Sequence, residues 1–218
     1  MNKKVLYHGS VKIIKTPVFG YGRSDNDYGR GFYCTEDIEL AREWAALDEN
    51  GGFVNQYELD TSGLNCLDLT DGKCTELSWM AILLANRVVR LSSPVEKRAR
   101  TFITENFLPD TSDADIIIGH RADDSYFSFA RAFLSNTITL QQLSTALSLG
   151  DLGRQIMLKS ERAFNALLYK KSEPVNGAVY YPKRMMRDKH ARDQYMALLE
   201  KEDETGLYIS DIMKKGGL

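Results

Sequence analysis

Hydrophobic and polar positions along the chain follow two periods, one of about two residues and one of about 3.6. Segments in which apolar and polar residues alternate, or short apolar runs, predict strands. These segments are 3–10, 11–17 (a strand or an extended segment), 31–35, 53–60, 64–69, 116–118 and 153–160. Apolar residues recur every three or four positions in 35–49, 75–107, 125–136, 139–149 and the stretch after Pro182, which predicts helices there. Segment 160–171 predicts a short helix that runs into a strand.

Several polar residues mark where the helices begin and end. Thr35, Thr139 and Ser160 each precede an amphipathic run, and they are expected to cap its first turn. Gly51 and Gly52 follow the first helical segment and are expected to end it. Strands and helices are mixed without the regular β-α-β order of a doubly wound sheet, so the sequence predicts an α+β fold.

The order of these elements divides the chain into two parts. Residues 1–181 are expected to form one domain, in which a helical insert of about 75–150 interrupts the strands. Residues 182–218 are expected to form a C-terminal helix and a short tail.

Composition and charge exclude several classes of protein. The net charge of −2 gives no overall electrostatic attraction to nucleic acid. The start of the chain does not read as a signal peptide, and the longest apolar run, 79–85, is too short to span a bilayer. Cys34, Cys66 and Cys74 lie outside metal-ligand spacing, so neither a metal site nor a disulfide framework is predicted. These features indicate a cytoplasmic protein that does not act at a membrane.

Candidate chemistry concentrates in the segment 27–45, which combines glycines with aromatic residues. Gly29 and Gly31 allow a tight turn or a close backbone approach to a ligand. Tyr33 ends a short predicted strand, and Trp44 follows eleven residues later on the next helix. Two aromatic faces that oppose each other across a slot accept a flat heterocycle, at roughly 1 kcal/mol for each stacking contact.

A second group of polar atoms lies at the end of the first predicted strand. His8, Gly9 and Ser10 offer an imidazole, an uncovered backbone N–H and C=O, and a hydroxyl. An exposed backbone donor–acceptor pair complements a primary carboxamide, so the two groups together suit nicotinamide and hence NAD. No glycine-rich fingerprint between a strand and a helix is present, which argues against Rossmann-type binding.

The order of these motifs resembles the catalytic core of the ADP-ribosyltransferases, in the branch shared by diphtheria toxin and the poly(ADP-ribose) polymerases. That branch has a His–Tyr–Glu triad. His8, Gly9 and Ser10 match its first motif, and Trp44 takes the place of a second aromatic residue that is a tyrosine in the family. The second motif is matched by Gly29, Gly31 and Tyr33. The resemblance implies a split β-sheet fold and an NAD-dependent transferase of pentosyl groups.

The resemblance also implies a role for each matched residue. His8 is expected to hold the adenosine ribose, the Gly9 backbone and Ser10 the carboxamide, and Tyr33 and Trp44 the two faces of nicotinamide. The third triad position falls on Gln155, where the family has a glutamate. An amide can hydrogen-bond the ribose, but it carries no charge and cannot act as a base. Glu161 is the nearest acid and a weaker candidate.

The function that follows from the resemblance is mono-ADP-ribosylation, with release of nicotinamide, by a bacterial toxin that a separate antitoxin neutralises. The acceptor is a protein side chain or a nucleic-acid base (RNA or DNA), and no metal is expected. Two alternatives remain: a catalytically silent module that binds NAD, ADP-ribose or a partner, and a structural protein with Tyr33 and Trp44 in its core. The silent module draws its support from Gln155.

Two further segments have a structural and a functional interpretation. Residues 123–126 follow a predicted buried strand. They either line the acceptor site or supply the missing acid, or they begin a helix with acidic residues. The C-terminal helix carries basic residues among apolar ones, which favours packing or partner docking over RNA binding. The basic residues are Lys183, Arg184, Arg187, Lys189 and Arg192.

Overall fold

A computed structural model describes residues 3–122, 124–149, 153–201, 203 and 205–218 of the chain, and within them the fold is α+β. The strands are β1 (Lys3–Ser10), β2 (Phe32–Cys34), β3 (Gly52–Asp60), β4 (Cys66–Asp68), β5 (Ile116–His120), β6 (Arg154–Leu158) and β7 (Leu167–Val175). The helices are α1 (Ile38–Ala45), α2 (Glu76–Asn86), α3 (Pro94–Phe107), α4 (Asp124–Leu134), α5 (Leu140–Ala146), α6 (Glu161–Asn165), α7 (Gly177–Leu199) and α8 (Ile209–Lys215).

The strands form two sheets, and among the described residues one isolated backbone bridge joins them. The first sheet is antiparallel, with the order β1-β3-β7, and the second has the order β2-β6-β5-β4, in which β4 and β5 are parallel. Tyr7 of β1 and Thr35 exchange two backbone hydrogen bonds of 2.8 and 2.9 Å, and these bonds join the sheets. Beyond Tyr7 no further backbone pair joins β1 to β2 among the described residues, so this side of β1, here called the opening, has no partner strand.

The second sheet is covered on both faces because its side chains alternate. Ile117 of β5 and Met157 of β6 pack into a large apolar cluster with α2, α4 and other helices. Ile118 and Ile156, one position away on the same strands, pack into a second cluster with Leu6 of β1. One face of the sheet therefore meets the helical layer, and the other meets the first sheet.

The start of α1 differs from the sequence prediction. Asp37, not Thr35, caps this helix, with a side-chain oxygen that accepts from the backbone N–H groups of Glu39 and Leu40. The backbone of Thr35 is instead committed to Tyr7 at the junction of the sheets. The caps predicted at Thr139 and Ser160 are present. The helix also ends earlier than Gly51, with Ala46 as its C-cap.

The C-terminal part of the chain is more helical than the sequence predicted. Helix α7 begins at Gly177, before Pro182, and α8 forms where a short tail was expected. Ile209 and Ile212 of α8 are fully buried in the large helical cluster. Arg187 of α7 donates two hydrogen bonds of 2.8 Å to the carboxylate of Glu43, which ties α7 to α1. None of the described helices is both long and apolar enough to cross a bilayer.

Candidate functional site

His8 and Tyr33, two of the residues expected in the site, are joined directly. His8 Nδ1 lies 2.6 Å from the Tyr33 carbonyl oxygen, and a carbonyl only accepts, so Nδ1 carries the hydrogen. Burial lowers the pKa of His8, which leaves the ring neutral at pH 7 with a lone pair on Nε2. The ring packs 4.4 Å from that of Phe32. The His8 side chain, in a fixed orientation, thus joins β1 to β2 beyond the backbone bridge at Tyr7.

Gly9 lies at the opening between the sheets. Tyr7 directs its backbone N–H and C=O toward Thr35, and alternate residues of an antiparallel strand direct theirs to the same side. The N–H and C=O of Gly9 therefore face the opening. A Cβ at Gly9 would lie 2.1 Å from the Ala41 carbonyl oxygen and 2.9 Å from Trp44 Cβ. Only glycine lets α1 come this close, and the contact brings Trp44 to the end of β1.

Ser10 supports the loop that follows β1. Its hydroxyl donates to the Lys12 carbonyl and accepts from Asn55 Nδ2 at 3.2 Å. Asn55 is fully buried, and its Oδ1 accepts from the Ile14 backbone N–H at 2.9 Å and from the Ser172 hydroxyl at 2.8 Å. The arrangement anchors residues 11–14 to the first sheet, a role that the sequence analysis did not assign to Asn55.

A cleft of about 320 Å³ brings together Tyr33, Trp44 and Gln155. The other described residues that line it are Asn26, Asp27 and Arg121. The register of β6 explains part of this arrangement. Tyr33 of β2 lies opposite Met157 of β6, and Gln155 is two residues before Met157 on the same face. Three of the lining residues were thus predicted from the sequence, whereas Asn26, Asp27 and Arg121 were not.

The glycine-rich loop fixes the phenol of Tyr33. Its hydroxyl donates to the Gly29 carbonyl at 2.7 Å and accepts from the Tyr28 N–H at 3.0 Å. Gly29 has a φ of 84°, a left-handed conformation that favours glycine. A Cβ at Gly31 would lie 2.6 Å from the Leu158 carbonyl oxygen, so this position also requires glycine. Burial raises the pKa of Tyr33 and keeps the phenol neutral.

Trp44 forms another wall of the cleft and has one unsatisfied polar atom. Its Nε1 is buried and has no hydrogen-bond partner among the described residues. A buried donor without an acceptor costs about 1–3 kcal/mol, which a ligand acceptor would recover. Arg121, which follows β5, has its Cζ 4.8 Å from the centre of the Trp44 ring. The cleft therefore combines aromatic surface with a cation and an unpaired donor.

Gln155 is buried at the start of β6 and is held by acceptors. Its Nε2 donates to Asp27 Oδ2 at 2.7 Å and lies 3.4 Å from the His120 carbonyl oxygen. Asp27 Oδ2 also accepts from the Ala122 N–H at 3.0 Å, and Oδ1 accepts from Arg87 Nη1 at 2.9 Å. A buried carboxylate thus lies beside the glutamine. The available signal was an acid placed two residues before Gly29 in the glycine-rich loop.

A second groove of about 240 Å³ adjoins the cleft and shares Asn26 and Tyr33 with it. Its walls include His8, Phe32 and Phe164, together with residues 14–22 of the loop after β1. The groove is mainly apolar, with the imidazole as a polar group at one side. Such a lining favours an apolar or aromatic ligand group over a charged one.

Other residues singled out in the sequence lie elsewhere. Glu161 is exposed in the first turn of α6 and does not line the cleft. Asp123 lies outside the described residues, and for 124–126 the structure describes only their place at the start of α4. Among the described residues, no group of three or more His, Cys, Asp or Glu side chains is placed to hold a metal ion.

One family model matches the chain, over residues 4–169, and its description is "Protein of unknown function (DUF3990)". The match covers about three quarters of the chain and includes all the cleft-lining residues that the structure describes. No curated protein and no solved structure matches. The chain therefore belongs to the family described as "Protein of unknown function (DUF3990)".

Proposed function

We propose that this protein is an NAD-dependent mono-ADP-ribosyltransferase with an ADP-ribosyltransferase-type split-sheet fold. The observation that carries the proposal is the convergence of Tyr33, Trp44 and Gln155 on one cleft, beside a groove walled by His8. These residues come from strands of both sheets and from α1, in the order that the resemblance requires. The division of the described strands into two sheets, joined by one isolated backbone bridge at Tyr7, supports the split-sheet fold.

The cleft offers a suitable environment for the nicotinamide end of NAD. The ring enters between Tyr33 and Trp44, and its carboxamide pairs with the N–H and C=O of Gly9. The unsatisfied Nε1 of Trp44 adds a donor for a ligand oxygen. Arg121 contributes a positive charge at the cleft, which suits the diphosphate. The adenosine lies in the adjoining groove, where Nε2 of the neutral His8 accepts a hydrogen bond from a ribose hydroxyl.

The proposed reaction breaks the bond between C1′ of the ribose and the nicotinamide nitrogen. The bonding electrons leave with nicotinamide, which departs as a neutral molecule, and positive charge develops on the ribose. Gln155 accepts a hydrogen bond from a hydroxyl of that ribose and favours the charge by its oriented dipole. An acceptor nucleophile then bonds to C1′ and loses its proton to solvent.

The resemblance extends the proposal to the role of the protein in the cell. We assign it to the cytoplasm of a bacterium as a toxin of a toxin–antitoxin or defence system, with an antitoxin protein as its partner. The acceptor is an RNA, a DNA or a protein. The exposed apolar residues of α7, Met185, Met186 and Met196, are consistent with a surface for such a partner.

Transfer from NAD labelled on the adenylate tests the proposal. The protein is incubated with cell extract, and portions are then treated with RNase, DNase or protease. Wild type should attach label, and the treatment that removes it identifies the acceptor. Tyr33→Ala and Gln155→Ala should each reduce transfer by about 10²-fold or more. Urea unfolding of each variant controls for loss of the fold. Transfer that survives both substitutions would refute the proposed site.

A catalytically silent NAD-binding module is the second candidate, and the amide at Gln155 favours it. Such a module binds NAD without release of nicotinamide. Binding is measured by quenching of tryptophan fluorescence. The chain has two tryptophans, and Trp79 is fully buried in the helical cluster, so Trp44→Phe identifies the signal of the cleft. Quenching with no release of nicotinamide would support the silent module.

A further inference from the structure

We propose that Asp27 is a positioning residue that orients and polarises the carboxamide of Gln155, so that its Oε1 acts on the ribose in place of a glutamate. The inference rests on the proposed function and assigns a role to a loop residue outside the resemblance. It accounts for the glutamine at the third triad position.

The neighbours of Gln155 determine which way its amide points. Nε2 lies 2.7 Å from Asp27 Oδ2 and 3.4 Å from the His120 carbonyl oxygen, and both atoms are acceptors. Only the amide nitrogen can satisfy them, since an amide oxygen has no hydrogen to donate. The nearby Tyr28 hydroxyl gives its own hydrogen to the His120 carbonyl, so it does not donate to Gln155. Because Gln155 lines the cleft, Oε1 is the atom left to meet a ligand hydroxyl.

A carboxylate as the partner of Nε2 changes the amide itself. A hydrogen bond to an ionised group is about twice as strong as one between neutral groups. Hydrogen bonds in series also polarise one another in a low dielectric. The Asp27–Gln155 bond therefore draws electron density toward Oε1, which becomes a stronger acceptor. Gln155 thus recovers part of the hydrogen-bonding strength of a glutamate, although the negative charge lies on Asp27 in the loop.

Asp27 is held firmly enough to have this effect. Arg87 Nη1 donates to Oδ1 at 2.9 Å, and the Ala122 N–H donates to Oδ2 at 3.0 Å. Arg87 also donates to the Ala122 carbonyl at 2.6 Å, and its guanidinium lies 4.7 Å from the centre of the Phe127 ring. These contacts fix the carboxylate from the side of α2 and the segment after β5.

The same geometry explains why a glutamate is disfavoured at position 155. The substitution Gln155→Glu would place a second carboxylate about 2.7 Å from Asp27 Oδ2. Two carboxylates at that distance share a proton instead of both ionising. The substitution that restores the triad of the family is therefore expected to impair this protein. An exchange of the two groups, Asp27→Asn with Gln155→Glu, keeps one carboxylate, one amide and the bond between them.

The test measures nicotinamide release from NAD, with cell extract as the source of acceptor, by the wild-type protein and four variants. Asp27→Asn and Gln155→Glu should each lower kcat by about 10²-fold with little change in KM. The double variant should recover at least tenfold over either single variant. Asp25→Asn, on the same loop, where the carboxylate pairs with Arg23 at the surface, should equal wild type. Asp27→Asn also weakens the ion pair with Arg87 and can therefore disturb the fold, whereas Gln155→Glu leaves that pair in place. A loss of activity in Gln155→Glu therefore does not come from the loss of this pair.

A second readout does not depend on activity. The side-chain amide signals of Gln155 in a ¹⁵N-resolved NMR spectrum, assigned by their loss in Gln155→Glu, should be protected from exchange in wild type. Asp27→Asn should shift them and abolish that protection. Unchanged signals would overturn the inference, as would full activity of Asp27→Asn or a double variant no better than the singles. A wild type that releases no nicotinamide refutes the proposed function, and the NMR result then decides the positioning of Gln155.

Discussion

Alanine at Gly9 is expected to damage the cleft through the contact between β1 and α1. The added Cβ would lie 2.1 Å from the Ala41 carbonyl oxygen and 2.6 Å from the Ala45 nitrogen, both backbone atoms that cannot rotate away. The third neighbour, Trp44 Cβ at 2.9 Å, is equally fixed to the helix. Ordinary contacts begin near 3.4 Å, so α1 must move away from β1 by about 1 Å.

The displacement has two measurable consequences. Overpacking of this kind costs typically 1–3 kcal/mol, and because the obstructing atoms are backbone, we expect about 3 kcal/mol for Gly9→Ala. A typical domain has about 5–15 kcal/mol of stability, so the variant still folds. Trp44 moves with the helix by about the same distance, so it loses its stacking contact with the bound nicotinamide and NAD binding should weaken as well.

Urea unfolding and NAD binding together test the reasoning on Gly9. Gly63→Ala is the matched control, because Gly63 also has no side chain but has open space around it. Its φ of 75° means that alanine there costs only backbone strain, about 1–2 kcal/mol. Gly63→Ala should lose stability and keep NAD binding, whereas Gly9→Ala should lose both. Wild-type stability or wild-type NAD binding in Gly9→Ala would refute the close contact as the reason for glycine.

Three further predictions concern other contacts. Arg187→Ala removes the ion-pair partner of the buried Glu43 carboxylate and should lower the free energy of unfolding by about 3 kcal/mol in urea titrations. A loss below about 1 kcal/mol would contradict the stabilising role of this ion pair. Burial lowers the pKa of His8, so the unfolded chain takes up a proton at a higher pH than the folded one, and the free energy of unfolding should fall as pH drops below about 6.5. In urea titrations, His8→Gln should reduce the difference in the free energy of unfolding between about pH 7.5 and about pH 5.5. An unchanged difference would contradict this. Cys66 is exposed and Cys34 is fully buried, so a thiol reagent should label Cys66 in the native protein and Cys34 only in urea. Rapid labelling of Cys34 in the native protein would contradict its burial.

Local patterns in the sequence were sufficient to predict most of the strands and helices. The alternation in 3–10 and 53–60 and the cap signals at Thr139 and Ser160 depend on neighbours in the chain, and the structure confirms them. The order of motifs also identified Tyr33, Trp44 and Gln155, which line one cleft. Their spacing along the chain is set by β2, α1 and β6, the elements that carry them, so the order of motifs was enough to predict that they meet.

Features that depend on distant contacts were not predictable from one sequence. Threonine is a common helix cap, but the backbone N–H and C=O of Thr35 pair with Tyr7, twenty-eight residues earlier, where the two sheets join. Helix α8 forms because Ile209 and Ile212 are buried against helices far away in the chain. Asp27 gains its importance from Arg87 after α2, Ala122 after β5 and Gln155 on β6, and these partners lie far from it in the chain.

The stoichiometry of the reaction is the most direct test of the proposed activity. Purified protein, extract and NAD labelled on the adenylate are combined, and free nicotinamide and covalently attached label are counted in the same samples. A transferase that uses the cleft between Tyr33 and Trp44 should release one nicotinamide for each ADP-ribose attached, and Tyr33→Ala should abolish both. If wild type yields neither nicotinamide nor attached label above the level of Tyr33→Ala, the cleft is not the site of ADP-ribosyl transfer.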